Sequence, residues 1–407
     1  MASIHPFQAL RPAPAAAPSV SSVPYDVVST DEARQLAAGN PLSFLHVTRS
    51  EIDFPPDADP YSSEVYDKAR ANLDALRATA PLLVDDVPGV YFYRLRMGAH
   101  EQTGVAGCFS LDEYDRDVIK KHERTRRDKE DDRTRHMISL RAQTGVVFLT
   151  YRAEPTVDQL QQTVTSGAAL YDFTAADGVR HTVWRASPEK TKAVVAAFAR
   201  IPSLYIADGH HRVASAARAR TELGASGSNG ATGAGTFIAV AFPDSQVQIL
   251  PYNRTVKDLA GATQSEFLTA LKRQVPVAEG AATPARHGDV SMYLERRWYT
   301  LDLSAAVVAS ASRADSLDVA RLQTAVLEPI LRIGDIRSDK RIDFVGGARG
   351  TRALEQAVDS GKAAVAFSVY PVSVGDLMAI SDTGGIMPPK STWFEPKLRD
   401  GLLIHEI

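Results

Sequence analysis

The run Asp208-Gly209-His210-His211-Arg212 gathers four charged or titratable side chains around one glycine, directly after the apolar stretch Leu204-Tyr205-Ile206-Ala207. A strand that runs into glycine and then opens a helix leaves the first backbone amides of that helix facing the turn, and such a terminus favours anions. Gly209 removes the Cβ that would keep a ligand away from the backbone. Arg212 carries a planar donor fork that matches phosphate oxygens. His210 and His211 can donate to phosphate or move protons, and Asp208 can orient a histidine or hold a divalent cation. The plainer alternative makes Asp208 a helix cap beside two solvent-facing histidines. Four such groups around one glycine are unusual for a plain cap, so the run reads as a phosphate site. Zinc fits less well: adjacent histidines point in different directions on a helix, and no third ligand has the expected spacing.

Two further stretches carry related chemistry. In Lys120-Lys121-His122-Glu123-Arg124-Thr125 a glutamate flanked by histidine and cations could serve as a general base while the cations steer phosphate. Taken alone, mixed charge of this kind reads as a solvated face. In Met387-Pro388-Pro389-Lys390-Ser391-Thr392-Trp393-Phe394 the prolines stiffen the backbone, and Lys390 and Lys397 bring two cations near Ser391 and Thr392. A strap held by its aromatics, with the lysines in solvent, is the alternative. Cys108 lies in the apolar run 104–109 and reads as a small buried hydrophobe rather than a catalytic thiol.

The elements that must position these groups follow from hydrophobic period and punctuation. Strands are expected at 90–97, 103–109, 145–151, 169–173, 181–185, 204–207, 236–242, 247–250, 290–294, 298–303, 341–345 and 363–370. Helices are expected at 31–38, 61–80, 188–200, 210–223, 264–274, 317–331 and 351–358. From Asp112 to Leu140 the chain is intensely charged, and 224–235 is a Gly/Ser-rich stretch that reads as a flexible loop insertion. The pattern is α/β with mixed sheets.

At 407 residues the chain is long enough for more than one domain. The expected division is an N-terminal α/β segment at 1–110, a core at 111–256 that contains the Gly-rich insertion, and a C-terminal α/β segment at 257–407 that carries the Pro-Pro-Lys-Ser-Thr-Trp-Phe loop. A net charge of −3 argues against a general nucleic-acid binder. One cysteine permits no internal disulfide, so nothing points to an oxidising compartment. Met1–Val20 lacks the basic start and apolar run of a signal peptide, and no window approaches the roughly 18 apolar residues of a membrane span. A cytoplasmic address, without membrane or nucleic-acid partners, is expected. A homodimer is compatible with the sequence.

With these motifs in order, the chain resembles the bacterial and archaeal family known as domain of unknown function 1015. The resemblance runs from His5-Pro6-Phe7 and Pro24-Tyr25-Asp26-Val27, through Asn40-Pro41, Gln102-Thr103-Gly104, Lys120 to Thr125 and Gln143-Thr144-Gly145, to the Asp-Gly-His-His-Arg run and Met387 to Phe394. The Asp-Gly-His-His-Arg run is similar to the motif of free-serine kinases built on a ParB/sulfiredoxin-like fold. That resemblance implies a ParB/sulfiredoxin-like core elaborated by additional α/β segments. It also implies transfer of a phosphoryl group from ATP or pyrophosphate, with Mg2+, to a small hydroxyl substrate, free L-serine giving O-phospho-L-serine. The implied catalytic group is Glu123, Asp208, His210 and His211, with Glu123 as general base. Gly209, Arg212 and Lys390 would bind phosphate, His122, Thr392 and Lys397 substrate, and Asp208 the metal. Two other classes stay open: a nucleotide-binding, ParB-like switch without metabolite turnover, and a phosphoester hydrolase.

Overall fold

A computed structural model describes residues 1–79, 82–224, 233–306 and 312–407. Most of the Gly-rich stretch, residues 225–232, therefore lies outside the described residues. The chain forms two units: one of residues 1–121, 125–247 and 396–407, the other of residues 122–124 and 248–395.

The first unit is built on a nine-stranded mixed sheet. Its strands are β1 (Ile4–His5), β2 (Tyr91–Met97), β3 (His100–Ser110), β4 (Ile119–Lys120), β5 (Val147–Tyr151), β6 (Tyr171–Thr174), β7 (Arg180–Arg185), β8 (Leu204–Asp208) and β9 (Thr236–Pro243). The order is β4-β8-β5-β9-β3-β2-β7-β6, with β1 paired to β3. Only β4 with β8 and β5 with β9 run parallel. The central strands are near-continuous apolar runs because both of their faces are covered. Phe92, Phe109, Leu149, Ile206 and Phe237 are all buried in one core cluster.

Two helices flank the site. The first, α1 (Arg127–Leu140), ends the charged stretch, and the second, α2 (His210–Glu222), leaves the Asp-Gly turn. The charges of α1 are not merely solvated. Arg218 of α2 lies 3.6 Å from Glu130 and 2.6 Å from Asp131, and Ser215 donates to the Glu130 carbonyl at 3.2 Å. The segment that reads as one charged helix face is thus a short helix (Leu111–Asp115), the strand β4 and then α1.

The second unit carries an antiparallel six-stranded sheet of β10 (Tyr252–Val256), β11 (Val277–Glu279), β12 (Asp289–Leu294), β13 (Arg297–Asp302), β14 (Ile342–Gly346) and β15 (Val365–Val369). Its order is β11-β13-β12-β15-β10-β14. Helix 264–274 forms as expected, fixed by a capping box between Thr263 and Glu266. The helix expected at 317–331 is shorter: Asp318–Leu322 is α-helical, and Gln323–Leu327 widens into a π turn. There the Gln323 side chain donates to the Ile333 carbonyl at 2.7 Å and draws the following chain back onto the turn.

The structure groups residues differently from the three consecutive segments expected at 1–110, 111–256 and 257–407. A cut after Ser110 would split a sheet, since β3 pairs with β9 from Thr236↔Ser110 to Ala241↔Val105. The last twelve residues belong to the first unit: His405 pairs with Gln143, Leu10 bridges Ile404, and Leu402, Leu403 and Ile404 are buried. Among the described residues, no helix is long and apolar enough to cross a membrane. Cys108 is buried in β3 and burial pushes its thiol pKa up, so it stays protonated.

Candidate active site

The turn after β8 begins with a register fault. Ile206 pairs with Leu149 and Asp208 with Phe148, so Ala207 is an extra residue in the ladder. A bulge of this kind re-aims the side chain that follows it. Gly209 then adopts φ +101, ψ 27 and starts α2 without any side-chain cap. Only glycine takes that backbone readily. A Cβ there would also meet Arg212 Cδ at 3.3 Å and the Val147 Cα at 3.5 Å. The strand thus gives way to the helix within one residue, with Asp208 directly before the glycine cap of α2.

Asp208 is partly exposed and accepts from Lys397 Nζ at 2.9 Å. Burial pushes its pKa up, but Lys397, Arg212 and His210 pull it further down, so the carboxylate stays ionised well below its ordinary range. Lys397 comes from the C-terminal segment, 189 residues away. Two bonds hold that segment next to it: Arg399 Nε donates to His181 Nε2 at 3.2 Å, and Arg399 also pairs with Asp177. His210 is buried at the first position of α2. His211 Nε2 accepts the backbone amide of Arg126 at 2.9 Å, at the N-cap of α1. That nitrogen must be unprotonated to accept, so His211 joins the two helices through it.

The structure uses Arg212 differently from the donor fork read off the sequence. One Nη donates to the Val146 carbonyl at 2.7 Å, and the other to both Asp26 oxygens at 2.7 and 2.8 Å. Its guanidinium lies 5.6 Å from the Tyr25 ring, and Arg133 stands 4.3 Å from the same ring. Burial alone would lower the Arg212 pKa, but Asp26, Asp208 and Asp400 raise it. Both Nη groups are held by the protein while Nε has no hydrogen-bond partner, so Arg212 bolts the turn to the N-terminal segment. Gly145 makes room for it, since a Cβ there would stand 3.2 Å from Arg212 Cδ. Asp400 is buried, and burial pushes its carboxyl up to about 7 against the pull of Arg212. Asp26, Gly145 and Asp400 had no assigned role in the sequence. Two of them stood in motifs already picked out, Pro24-Tyr25-Asp26-Val27 and Gln143-Thr144-Gly145.

The first unit therefore brings together Asp208, Gly209, His210, His211, Arg212 and Lys397. His122, Glu123, Lys390 and Thr392 belong to the second unit. There the buried His122 accepts the Met387 amide on its carbonyl at 2.8 Å, at the start of the Pro-Pro-Lys loop. Glu123 and Thr392 are partly exposed, and Lys390 is exposed. Lys397 belongs to the first unit and Lys390 to the second.

A Mg2+ ion bound by Asp208 fits this geometry poorly. The carboxylate already holds the Lys397 ammonium, and Arg212 adds a second positive charge nearby, whereas Mg2+ prefers carboxylates free to meet it.

No curated protein matches the chain in sequence. Among solved structures it is similar to SbnI with C-terminal truncation from Staphylococcus aureus, at 12% identity and a TM-score of 0.40, over 74% of this chain and 87% of that one. It is also similar to a free serine kinase in complex with AMP, at 12% identity and a TM-score of 0.38, over 73% and 91%. A conserved hypothetical protein from Pyrococcus furiosus aligns at 13% identity and a TM-score of 0.37, over 74% and 95%. The model of a protein family of unknown function, DUF1015, matches residues 4–320, a span that includes the Asp-Gly-His-His-Arg turn. The chain belongs to the DUF1015 family.

Proposed function

We propose that this protein is a small-molecule kinase that transfers a phosphoryl group from ATP or pyrophosphate to a hydroxyl substrate, free L-serine. The observation that carries this reading is the ionised Asp208, paired with Lys397, beside a helix start that has glycine for its cap. A helix amide end and an ammonium held in place by a carboxylate make a preorganised receptor for phosphate oxygens. The motif resemblance to free-serine kinases supports the acceptor, on a core of ParB/sulfiredoxin type.

Phosphoryl transfer needs positioning and charge neutralisation more than covalent help. The α2 amides and Lys397 neutralise the transferring group, while Arg212, tied to Asp26 and Val146, fixes the turn that presents those amides. His210 donates to the phosphate oxygens. Glu123, three residues beyond the end of β4, takes the proton from the serine hydroxyl. The hydroxyl oxygen forms the new P–O bond, and the donor's bridging P–O bond breaks with its electron pair on ADP or orthophosphate.

The test is 31P NMR of purified protein with Mg2+, L-serine and either ATP or pyrophosphate. A phosphomonoester resonance that appears only with serine is expected. Orthophosphate release without serine would mean a hydrolase, and donor binding without turnover a switch. Either result overturns the kinase.

A further inference from the structure

The second unit buries an arginine that, among the described residues, no carboxylate neutralises. Arg254, in the middle of β10, is 1% exposed. One Nη donates to the Tyr252 carbonyl, the other to the Lys390 carbonyl at 3.0 Å, and Nε has no hydrogen-bond partner. Its guanidinium lies 5.5 Å from the Phe344 ring. Among the described residues none pairs with it as a counter-ion. Burial lowers its pKa to about 10, so at neutral pH it remains a cation. A buried charge left on carbonyls and one aromatic face is costly unless something else answers it.

The surroundings show where that answer would sit. The Arg254 bond to Lys390 holds a residue whose φ is +57, uncommon for a side chain with a Cβ. That backbone sets the Lys390 ammonium 5.6 Å from the Tyr252 ring centroid, with the side chain otherwise exposed. Trp393 closes the loop from the other side. It meets Tyr252 edge-on at 5.0 Å and packs onto Gly346, where a Cβ would come within 2.5 Å of the indole. An exposed ammonium therefore stands on a platform whose own base is a second, uncompensated cation.

We infer that Arg254 and Lys390 form an anion subsite of the second unit, for a phosphate-type ligand, with Lys390 making the contact and Arg254 positioning it. This rests on the kinase reading only for the role of that anion in turnover; the subsite itself is a property of the loop. Arg254 is too buried to touch the ligand. It acts by fixing the Lys390 backbone and by adding positive potential beneath it.

The test is calorimetric titration of inorganic pyrophosphate into the full chain and into Arg254→Met, Lys390→Met and the double variant. Each single variant is expected to weaken binding about tenfold or remove one binding equivalent, with the double variant no worse than either, because the two residues act as one unit. A folded Arg254→Met protein that binds pyrophosphate with wild-type affinity and stoichiometry overturns the inference. Should Arg254→Met fail to fold, Gly346→Ala probes the same loop by displacing Trp393, and the same outcomes decide. The serine assay separates the two readings. Pyrophosphate binding that depends on Arg254, without serine phosphorylation, sinks the kinase and keeps the subsite; serine phosphorylation with Arg254-independent binding does the reverse.

Discussion

Arg212 and Arg254 are both buried, and their surroundings are opposites. Arg212 holds Asp26 through two short bonds, with Asp208 and Asp400 also drawing on its charge, and its pKa is raised. Among the described residues, Arg254 holds only backbone carbonyls and an aromatic face, and its pKa is lowered. The same residue type therefore does two jobs. Where the protein supplies the counter-charge, arginine is a bolt that locks a turn. Where it supplies none, the charge rests on carbonyls and a ring, the arrangement from which the anion subsite is inferred.

That contrast can be broken by substitution. Arg212→Met strands its carboxylate partners and is expected to lower the stability of the first unit by about 3 kcal/mol in urea unfolding. A loss under about 1 kcal/mol would mean that Arg212 is no bolt. Gly209→Ala forces a side chain into φ +101 and against Arg212, with an expected cost of about 2 kcal/mol and a larger loss of phosphate affinity than of fold. Unchanged affinity in a folded variant would separate the turn from the ligand. Arg254→Met removes an uncompensated charge as well as its bonds to two carbonyls, so the expected net loss is only about 1 kcal/mol. A loss equal to that of Arg212→Met would erase the difference between the two sites.

Asp400 sharpens the same comparison through pH. Its folded pKa, about 7, lies above the ordinary 3.8, so between those values the folded state keeps a proton that the unfolded chain releases. Its contribution to stability is complete below about pH 4, declines as pH rises toward 7 and is flat beyond. The difference in stability between wild type and Asp400→Asn should follow that slope, on the order of 1 kcal/mol per pH unit. A difference that stays constant from pH 4 to 7 would show that Asp400 is ionised throughout. Asp208 has the opposite sign: its folded value is depressed, so what it contributes is present above about pH 4 and lost only in stronger acid.

What could be read from the sequence was local. The Asp-Gly-His-His-Arg turn was legible because an apolar strand, a glycine and a helix follow one another within a few residues. The hairpin of β2 and β3 was legible for the same reason. The partners of the turn were not. Asp26 reaches Arg212 across 186 residues, and Lys397 reaches Asp208 across 189, separations at which hydrophobic period carries no information. Hence Arg212 read as a ligand fork, with no sign in the sequence that both of its Nη groups bond within the protein. The return of residues 396–407 to the first unit was hidden likewise, because it rests on pairing with Gln143 and Leu10 rather than on any break in composition. Helices at Pro155–Thr165 and Val374–Asp382 escaped notice, although a capping box between Ser373 and Asp376 marks the start of the second.

The most direct check on the whole account is a crystal structure of the full chain with inorganic pyrophosphate. The expected result is a phosphate group at the start of α2, about 3 Å from the backbone amides of His210 and His211 and from Lys397. Well-ordered pyrophosphate elsewhere, with that turn empty and the Asp208–Lys397 pair undisturbed, would contradict it.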